Sequence, residues 1–237
     1  MNSPDELYGS IFTPKELLFT IGFAFAFSCF LDIIIGSDVF TRYLSFWLDS
    51  SVIKLQISMD ADWAKKGNIM QRLADLSSRR GAVKGRSKIS ALASDAASAL
   101  QDTYSRQWNS ASFSGQAFFG GKAKSYFDNL AVAERTKFDR KTSGARGSTF
   151  IPIGRPTQVV VTLIVAMRGK SKSLAKDGVL SVSDVEDVLR ILKSEPEMFG
   201  GANIMGVELL WTPSEAGDVL TEREVVEDFP ELIRLDY

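Results

Sequence analysis

The sequence predicts an α+β domain with a mixed or antiparallel sheet, anchored by one N-terminal transmembrane helix. Residues Leu17–Ile35 form an apolar run that carries a single charge, Asp32. Val52–Met59 alternates apolar and polar side chains, which is typical of a strand with one buried face. Gln158–Met167 is apolar on both faces, as in a strand inside a sheet that is covered on both sides.

The first 35 residues comprise a polar tail, 1–16, and the predicted span, 17–35. As a helix that rises ~1.5 Å per residue, the span would reach about 28 Å, close to the thickness of a bilayer's hydrocarbon core. Its five phenylalanines lie on all sides, so no face remains for water. The tail is acidic rather than basic, which favours a retained anchor over a removable signal peptide. Lysine and arginine are more frequent after the span, which favours the cytoplasmic or stromal side for the large domain.

Residues 36–51 link the span to the domain. They include the aromatic segment Val39–Leu48, in which Tyr43 and Trp47 are spaced one helical turn apart. Such rings prefer the headgroup level, so the segment is either an interfacial helix or a linker packed on the domain. Asp32 pairs with a partner's cation or backbone, acts as a pigment or ion ligand, or reaches headgroup water. The predicted contacts with lipid or a partner subunit are Phe23, Phe27, Asp32, Tyr43 and Trp47.

The domain occupies residues 52–237, and its elements alternate between strands and helices. The order β-αα-β-α-β-α-β predicts the α+β class, because the helices do not alternate strictly with the strands. The predicted elements are a strand at Val52–Met59, a helix capped by Asp60 or Asp62 and ending near Ser78, a helix from about Ser87 to Tyr104, a weak strand at Trp108–Phe119, a short helix with a further turn reaching Phe138, a loop at 141–157, a strand at Gln158–Met167, a helix opened by a capping box of Ser183 and Glu186, a strand at Asn203–Trp211, and a short acidic helix stopped by Pro230.

The composition excludes several classes of chemistry. The chain has 237 residues and no histidine, which removes the Ser-His-Asp and Cys-His nucleophile systems and histidine metal sites. The single cysteine, Cys29, lies in the predicted span, so neither an intramolecular disulfide nor a thiolate zinc site can form. No catalytic residue and no metal site are therefore predicted, and we expect that the chain is not an enzyme.

The net charge of −1 conceals an uneven distribution. Residues 60–148 hold sixteen Lys or Arg against eight Asp or Glu, whereas residues 182–237 hold four against fourteen. Either these surfaces complement each other within one domain, or the basic part faces an anionic membrane surface or partner. We interpret the basic cluster at Arg79–Lys88 as a solvated turn, with contact to lipid or protein as the alternative, and the acidic C-terminal helix as a solvated surface. The cluster lacks interleaved aromatic residues, so no nucleic acid is an expected partner.

A fragment of a phosphate-binding loop, Gly169-Lys170-Ser171, follows a strong strand. The complete motif needs a glycine five residues before Gly169, where Ile164 stands within the strand. We therefore expect neither a nucleotide site nor a small-molecule substrate.

Six stretches of the chain form a recognisable pattern and cover most of residues 52–234 in order: Val52–Ile57, Tyr126–Leu130, Glu134–Asp139, Val160–Ala166, Val207–Pro213 and Leu220–Pro230. Together they resemble an uncharacterised-domain family of cyanobacteria and plastids, which includes the plant fluctuating-light acclimation protein. The C-terminal part is the most specific, and in it the residues Trp211, Thr212, Pro213, Glu222 and Arg223 form a structural motif in which Glu222 and Arg223 can pair locally.

The resemblance implies a membrane-anchored plastid protein that is linked to photoprotection. The first hypothesis is a non-catalytic, single-pass subunit of a photosystem–antenna supercomplex in an algal thylakoid. Its partners would be membrane lipid and photosystem core or light-harvesting antenna subunits. No cofactor is required, although chlorophyll or carotenoid at the span would be compatible with this role. The alternative is a regulator of plastid ion or pH balance that acts on a membrane transporter.

Overall fold

The computed structural model describes residues 26–27, 49–62, 67–80, 85–103, 107–119, 121–144, 156–176, 178–179, 181–214 and 218–236. Most of the predicted span and the whole of Val39–Leu48 lie outside these residues, and so do Phe23, Asp32, Tyr43 and Trp47. None of the helices described has the length and apolar character needed to cross a membrane.

A five-stranded sheet forms the centre of the domain. Its spatial order is β4-β3-β1-β2-β5, and every neighbouring pair is antiparallel. The predicted α+β class is confirmed, and of the two predicted sheet types the antiparallel one is found. The strands are β1 (Asp49–Asp62), β2 (Trp108–Phe119), β3 (Pro156–Arg168), β4 (Ile204–Thr212) and β5 (Ile233–Arg234).

Helices cover both faces of the sheet. α1, α2 and α4 pack on one face and enclose the main apolar core with odd-numbered residues of β1 such as Ile53 and Ile57, both 0% exposed. α3 and α5 cover the other face. This double cover explains why β3 is apolar on both sides, as its sequence predicted. The helices are α1 (Ile69–Arg80), α2 (Arg86–Gln101), α3 (Lys122–Gly144), α4 (Val182–Ser194) and α5 (Glu222–Asp228), with 3₁₀ turns at Lys172–Ala175 and Glu195–Gly201.

The first helix starts later than its sequence suggested. The predicted caps, Asp60 and Asp62, lie in β1, because pairing with β3 continues to Asp62. Asn68 takes the capping role instead, since its Oδ1 accepts a hydrogen bond from the backbone N–H of Gln71 at 2.8 Å.

The short helix and further turn predicted before Phe138 are one continuous helix, α3. Its buried positions, Ala123, Phe127, Ala131, Glu134 and Phe138, repeat every three or four residues and so form one stripe. The stripe contains a glutamate, which breaks the apolar pattern in the sequence. Only the tertiary structure shows why a charge is tolerated there.

The capping box of α4 lies two residues before its predicted position. Ser181 Oγ accepts a hydrogen bond from the backbone N–H of Asp184 at 3.2 Å, and Asp184 Oδ2 accepts one from the backbone N–H of Ser181. Ser181 also bridges to the C-terminal Asp236, which ties the helix start to the end of the chain. The predicted box of Ser183 and Glu186 is therefore wrong, although the sequence pattern fits both pairs.

Replacing Ser181 by alanine is expected to lower the free energy of unfolding by about 1 kcal/mol, because the helix loses its N-cap. The matched control is Ser183→Ala, which changes an exposed serine within α4 and should have little effect. Urea unfolding of the full chain in detergent, followed by tryptophan fluorescence, measures both. A larger loss for Ser183→Ala would contradict the observed cap.

Candidate functional site

The even-numbered residues of β1 point toward α3. The alternation in the sequence predicted one buried and one solvated face for this strand. The second face is buried as well, because α3 lies over it: Gln56 is 0% exposed and the Lys54 side chain is 12% exposed. Polar side chains are thus enclosed between a helix and a sheet, where each needs a partner.

Glu134 of α3 supplies the central acceptor, and it is 2% exposed. Its carboxylate accepts hydrogen bonds from Lys54 Nζ at 3.0 Å, Gln56 Nε2 at 3.2 Å and Lys137 Nζ at 3.1 Å. A buried carboxylate costs several kcal/mol unless cations and donors surround it. Two cations and an amide do so here.

Gln56 extends the network across the sheet. Its Nε2 also donates to Thr162 Oγ1 of β3 at 2.9 Å, and its Oε1 accepts from Ser112 Oγ of β2 at 3.1 Å. The carboxamide therefore joins three adjacent strands to α3. We refer to this set as the polar layer; it comprises Lys54, Gln56, Ser112, Glu134, Lys137, Thr162 and Glu231.

Lys137 and Glu231 form the outer rim of the polar layer. Lys137 Nζ donates to Glu231 Oε1 at 2.9 Å, and Lys54 Nζ lies 3.4 Å from the same oxygen. Burial works to lower the pKa of Lys137, but the hydrogen bonds to Glu231 and Glu134 outweigh it and leave the pKa raised. Burial likewise works to raise the pKa of Glu231, but the hydrogen bond from Lys137 and the positive charges nearby leave it lowered. Both groups are thereby held in their charged forms.

These shifts predict how stability depends on pH. The lowered pKa of Glu231 means that its stabilising contribution is complete above its unfolded value of about 4.5 and disappears as the pH falls through the folded value. The raised pKa of Lys137 gives a contribution that is complete below about 10.5 and disappears only at higher pH. The urea concentration at the unfolding midpoint should therefore decrease as the pH drops below about 4.5. Between about pH 5 and pH 9 these two groups should change it little. Glu231→Gln should weaken the acid dependence, and an unchanged acid profile would contradict this assignment.

A second ion pair joins α3 to β4. Arg135 Nε and Nη2 donate to the two carboxylate oxygens of Glu208 at 2.8 and 2.5 Å, in the bidentate geometry that matches a guanidinium to a carboxylate. Glu208 is 1% exposed, whereas the Arg135 side chain is 47% exposed. The arginine thus covers a buried carboxylate at the surface of the domain.

Apolar clusters close the polar layer on both sides. Val52, Phe127 and Ile164 belong to the cluster at the start of α3, and Phe138 and Phe229 belong to the cluster at its other end. Within the layer itself two ammonium groups face two carboxylates. General acid–base catalysis favours groups whose pKa lies near neutrality, whereas Lys137 and Glu231 are both shifted away from it. The chemistry of this arrangement is that of a polar clamp between helix and sheet.

A known protein family matches the same residues that form this fold. The family described as "Protein of unknown function (DUF1517)" matches residues 49–235, which run from the first residue of β1 to the residue after β5. The chain belongs to the DUF1517 family. The predicted resemblance to a cyanobacterial and plastid family is confirmed by this match and by the relatives that follow.

Two relatives with descriptive names align with part of the chain. "Protein FLAP1 homolog A" of Synechocystis is 30% identical over 129 residues, which cover 46% of this chain and 36% of that protein. "FLUCTUATING-LIGHT-ACCLIMATION protein 1, chloroplastic" of Arabidopsis thaliana is 36% identical over 117 residues, which cover 46% of this chain and 28% of that protein. The alignments thus span about a third of each relative. No solved structure matches this DUF1517 chain significantly.

The structure places the predicted family motif at the end of β4 and in α5. Trp211 is half-buried against the main core, and the Thr212–Pro213 peptide bond is cis. Glu222 and Arg223 begin α5, where Arg223 Nε donates to Glu227 Oε1 at 2.7 Å. Neighbouring residues diverge on a helix, so the partner of Arg223 is the glutamate four residues on rather than Glu222. These DUF1517 motif residues hold the C-terminal part of the domain and do not reach the polar layer.

The loop fragment Gly169-Lys170-Ser171 has a structural role in this DUF1517 domain. Ser171 caps the 3₁₀ turn at Lys172–Ala175, and its Oγ donates to Glu195 Oε2 at 2.5 Å. The backbone N–H of Lys172 donates to Glu195 Oε1 at 2.9 Å. Glu195 is buried, so these donors satisfy its carboxylate in the way that the polar layer satisfies Glu134.

The polar layer was not predicted as a unit, although five of its residues lie in stretches that carry the family resemblance. A usable signal was present. The both-face apolar pattern of β3 predicted a sheet covered on both sides, so Lys54 and Gln56 on the neighbouring strand had to be buried and paired. Which residue pairs with them could not be read from spacing, because Glu134 is 80 residues from Lys54. Of the predicted N-terminal contacts, only Phe27 is described, and it is 53% exposed.

Proposed function

We propose that this chain is a non-catalytic, single-pass thylakoid membrane protein that serves photosynthesis as a structural or regulatory subunit of a photosystem–antenna supercomplex. The similarity to a chloroplastic relative named for acclimation to fluctuating light carries the proposal. The predicted span supplies the anchor, and the DUF1517 domain lies on the stromal side. Membrane lipid and photosystem core or antenna subunits are the partners.

The treatment of buried charge supports a non-catalytic role. Each buried carboxylate among the described residues, Glu134, Glu195 and Glu208, accepts at least two hydrogen bonds from neighbouring groups. Carboxylates satisfied in this way stabilise a fold and are poor general bases. The domain then acts by offering a rigid surface to its neighbours.

The test is the migration of the tagged full chain in its own organism. Thylakoids are solubilised gently and separated on a density gradient, and the fractions are probed for the chain and for photosystem and antenna subunits. Co-migration with a supercomplex, lost after stronger detergent releases the antenna, is the expected result. A chain that migrates only as a free protein, or is found only in the envelope, would overturn the proposal.

The alternative is regulation of plastid ion or pH balance through a membrane transporter, and the absence of histidine bears on how it would work. Four described groups have displaced pKa values: the pKa is raised for Lys137 and Lys176 and lowered for Asp187 and Glu231. All four stay charged near neutral pH, so regulation would proceed through contact with the transporter and not through proton binding by these groups. A deletion strain with altered quenching kinetics and unchanged supercomplexes would favour this alternative.

A further inference from the structure

The two ends of the sheet differ in charge. We call the end at which β1 begins the anchor end, because the predicted span precedes β1 in the chain. Asp49 lies opposite Phe119, the last residue of β2, and the backbone N–H of Gly169 donates to the carbonyl of Asp49 at 2.9 Å. The end of β3 therefore lies here as well, and the Lys172–Ala175 turn follows it.

Exposed cations from three parts of the sequence meet at the anchor end. α3 begins there directly after β2, and the segment after β3 carries further lysines. The start of α2 also lies there, because Ser90 Oγ donates to the carbonyl of Pro196, which precedes β4, at 2.6 Å. The acidic side chains described at this end are fewer: Asp49, Asp128, Glu197 and the buried Glu195, which accepts hydrogen bonds from Ser171 and the backbone of Lys172. The exposed cations are Arg86, Lys88, Lys122, Lys124, Lys170 and Lys172.

Exposed apolar side chains accompany these cations. Phe119 is 71% exposed, and Met198, in the turn before β4, is 48% exposed. The rings of Phe118 and Tyr126 are in contact, tilted by 45° with their centroids 4.9 Å apart. Aromatic rings beside lysine and arginine are typical of surfaces that lie at the headgroup level of a bilayer.

The opposite end of the domain is acidic. α5 lies there, since Leu220 just before it bridges to Gln158 near the start of β3. The helix exposes Glu222, Glu224, Glu227 and Asp228. The charge of the domain is therefore directed along the strands, with its positive pole at the anchor end.

We propose that the anchor end rests on an anionic lipid surface, with Phe119 at the headgroup level and Lys122 and Lys172 against the headgroups. This inference rests on the anchor of the proposed function. Only residues 36–48 separate the predicted span from β1, so the tether keeps the anchor end within about 45 Å of the bilayer. Such a tether raises the effective concentration of this end at the lipid surface, where its cations are attracted within about one Debye length.

The experiment places a fluorescent label at either end of the full chain. In a Cys29→Ser background, Phe119→Cys is compared with Val226→Cys on α5, where the native side chain is 67% exposed. Each protein is reconstituted into phosphatidylcholine vesicles with or without phosphatidylglycerol, together with a lipid that carries a quencher at its headgroup. Strong quenching at position 119 in the anionic vesicles, weaker quenching without phosphatidylglycerol and little at position 226 are expected.

Charge variants provide a second measurement that retains Phe119. The label is placed at a site on the anchor end that tolerates cysteine, and its quenching gives the ratio of molecules whose anchor end lies on the lipid to those whose anchor end does not. Lys122→Gln and Lys172→Gln should each lower this ratio about fivefold. Arg234→Gln, an exposed cation near the acidic end, is the matched control and should leave the ratio unchanged. Salt should reproduce the effect of the variants because it screens exposed charges.

The outcomes separate the inference from the proposed function. A chain that does not float with the vesicles would overturn both the anchor and the inference. A chain that floats but shows equal quenching at positions 119 and 226 would overturn the inference alone. Protection of position 119 in isolated thylakoids but not in anionic vesicles would assign the anchor end to a protein partner and would likewise overturn it.

Discussion

Replacing Glu134 by leucine is expected to lower the free energy of unfolding by about 3–5 kcal/mol. The substitution leaves the buried ammonium of Lys54 without its closest carboxylate and removes an acceptor from the buried Gln56. Urea unfolding of the full chain in detergent measures the loss. The control is Lys124→Gln, which breaks an ion pair with Asp128 whose side chains are both about half exposed and should cost about 0–1 kcal/mol.

A double-mutant cycle tests the cause of this loss. Lys54→Met combined with Glu134→Leu replaces the ion pair with apolar groups of similar size. The double variant should therefore lose less stability than the two single variants lose in sum. Additive losses, or a Glu134→Leu variant as stable as Lys124→Gln, would show that the polar layer does not hold α3 on the sheet.

Replacing Phe229 by alanine is expected to cost about 3–5 kcal/mol, because a large buried ring leaves a cavity. Phe229 is 1% exposed, and its ring centroid lies 5.8 Å from that of Phe138 at the far end of α3. The matched control is Val226→Ala, three residues earlier, where the native side chain is 67% exposed and the change should cost little. The urea midpoints of the two variants compare them directly.

The Phe229 variant also has a local consequence. The small cluster around Phe229 fixes α5 over the sheet, so hydrogen exchange in α5 should accelerate more than in β1 or β3. Equal acceleration throughout the domain would mean that α5 unfolds only together with the core. With either result, the Val226→Ala control separates the effect of lost packing from the effect of removing an apolar side chain at the surface.

The uneven charge of the sequence had two predicted interpretations, and the structure bears on each of them. Arg135 and Lys137, from the basic part of the sequence, bind Glu208 and Glu231 from the acidic part, so complementation within the domain is confirmed for these pairs. Other cations of the basic part lie at the anchor end, away from α5. The attraction of that end to an anionic surface remains the proposal that the vesicle experiment tests.

Local signals in the sequence determined the order and type of the main elements. The alternation in β1, the apolar run in β3 and the amphipathic helices follow from periods of two and about 3.6 residues, which neighbouring residues alone create. Local signals were less decisive at helix ends, where Ser181 and Ser183 both fitted a capping box. The residues after the predicted strand Val52–Met59 likewise offered two possible caps, Asp60 and Asp62, but both pair with β3 and belong to β1.

The sequence by itself thus determined an α+β domain with β3 inside a covered sheet and with Lys54 and Gln56 on one face of β1. Only the tertiary structure decided that α3 buries this face, and that Glu134, 80 residues from Lys54, is the carboxylate that compensates it. It also decided that Arg86, Lys122 and Lys172 share one end of the sheet. Burial and charge proximity depend on packing between distant segments, and no local period encodes that packing.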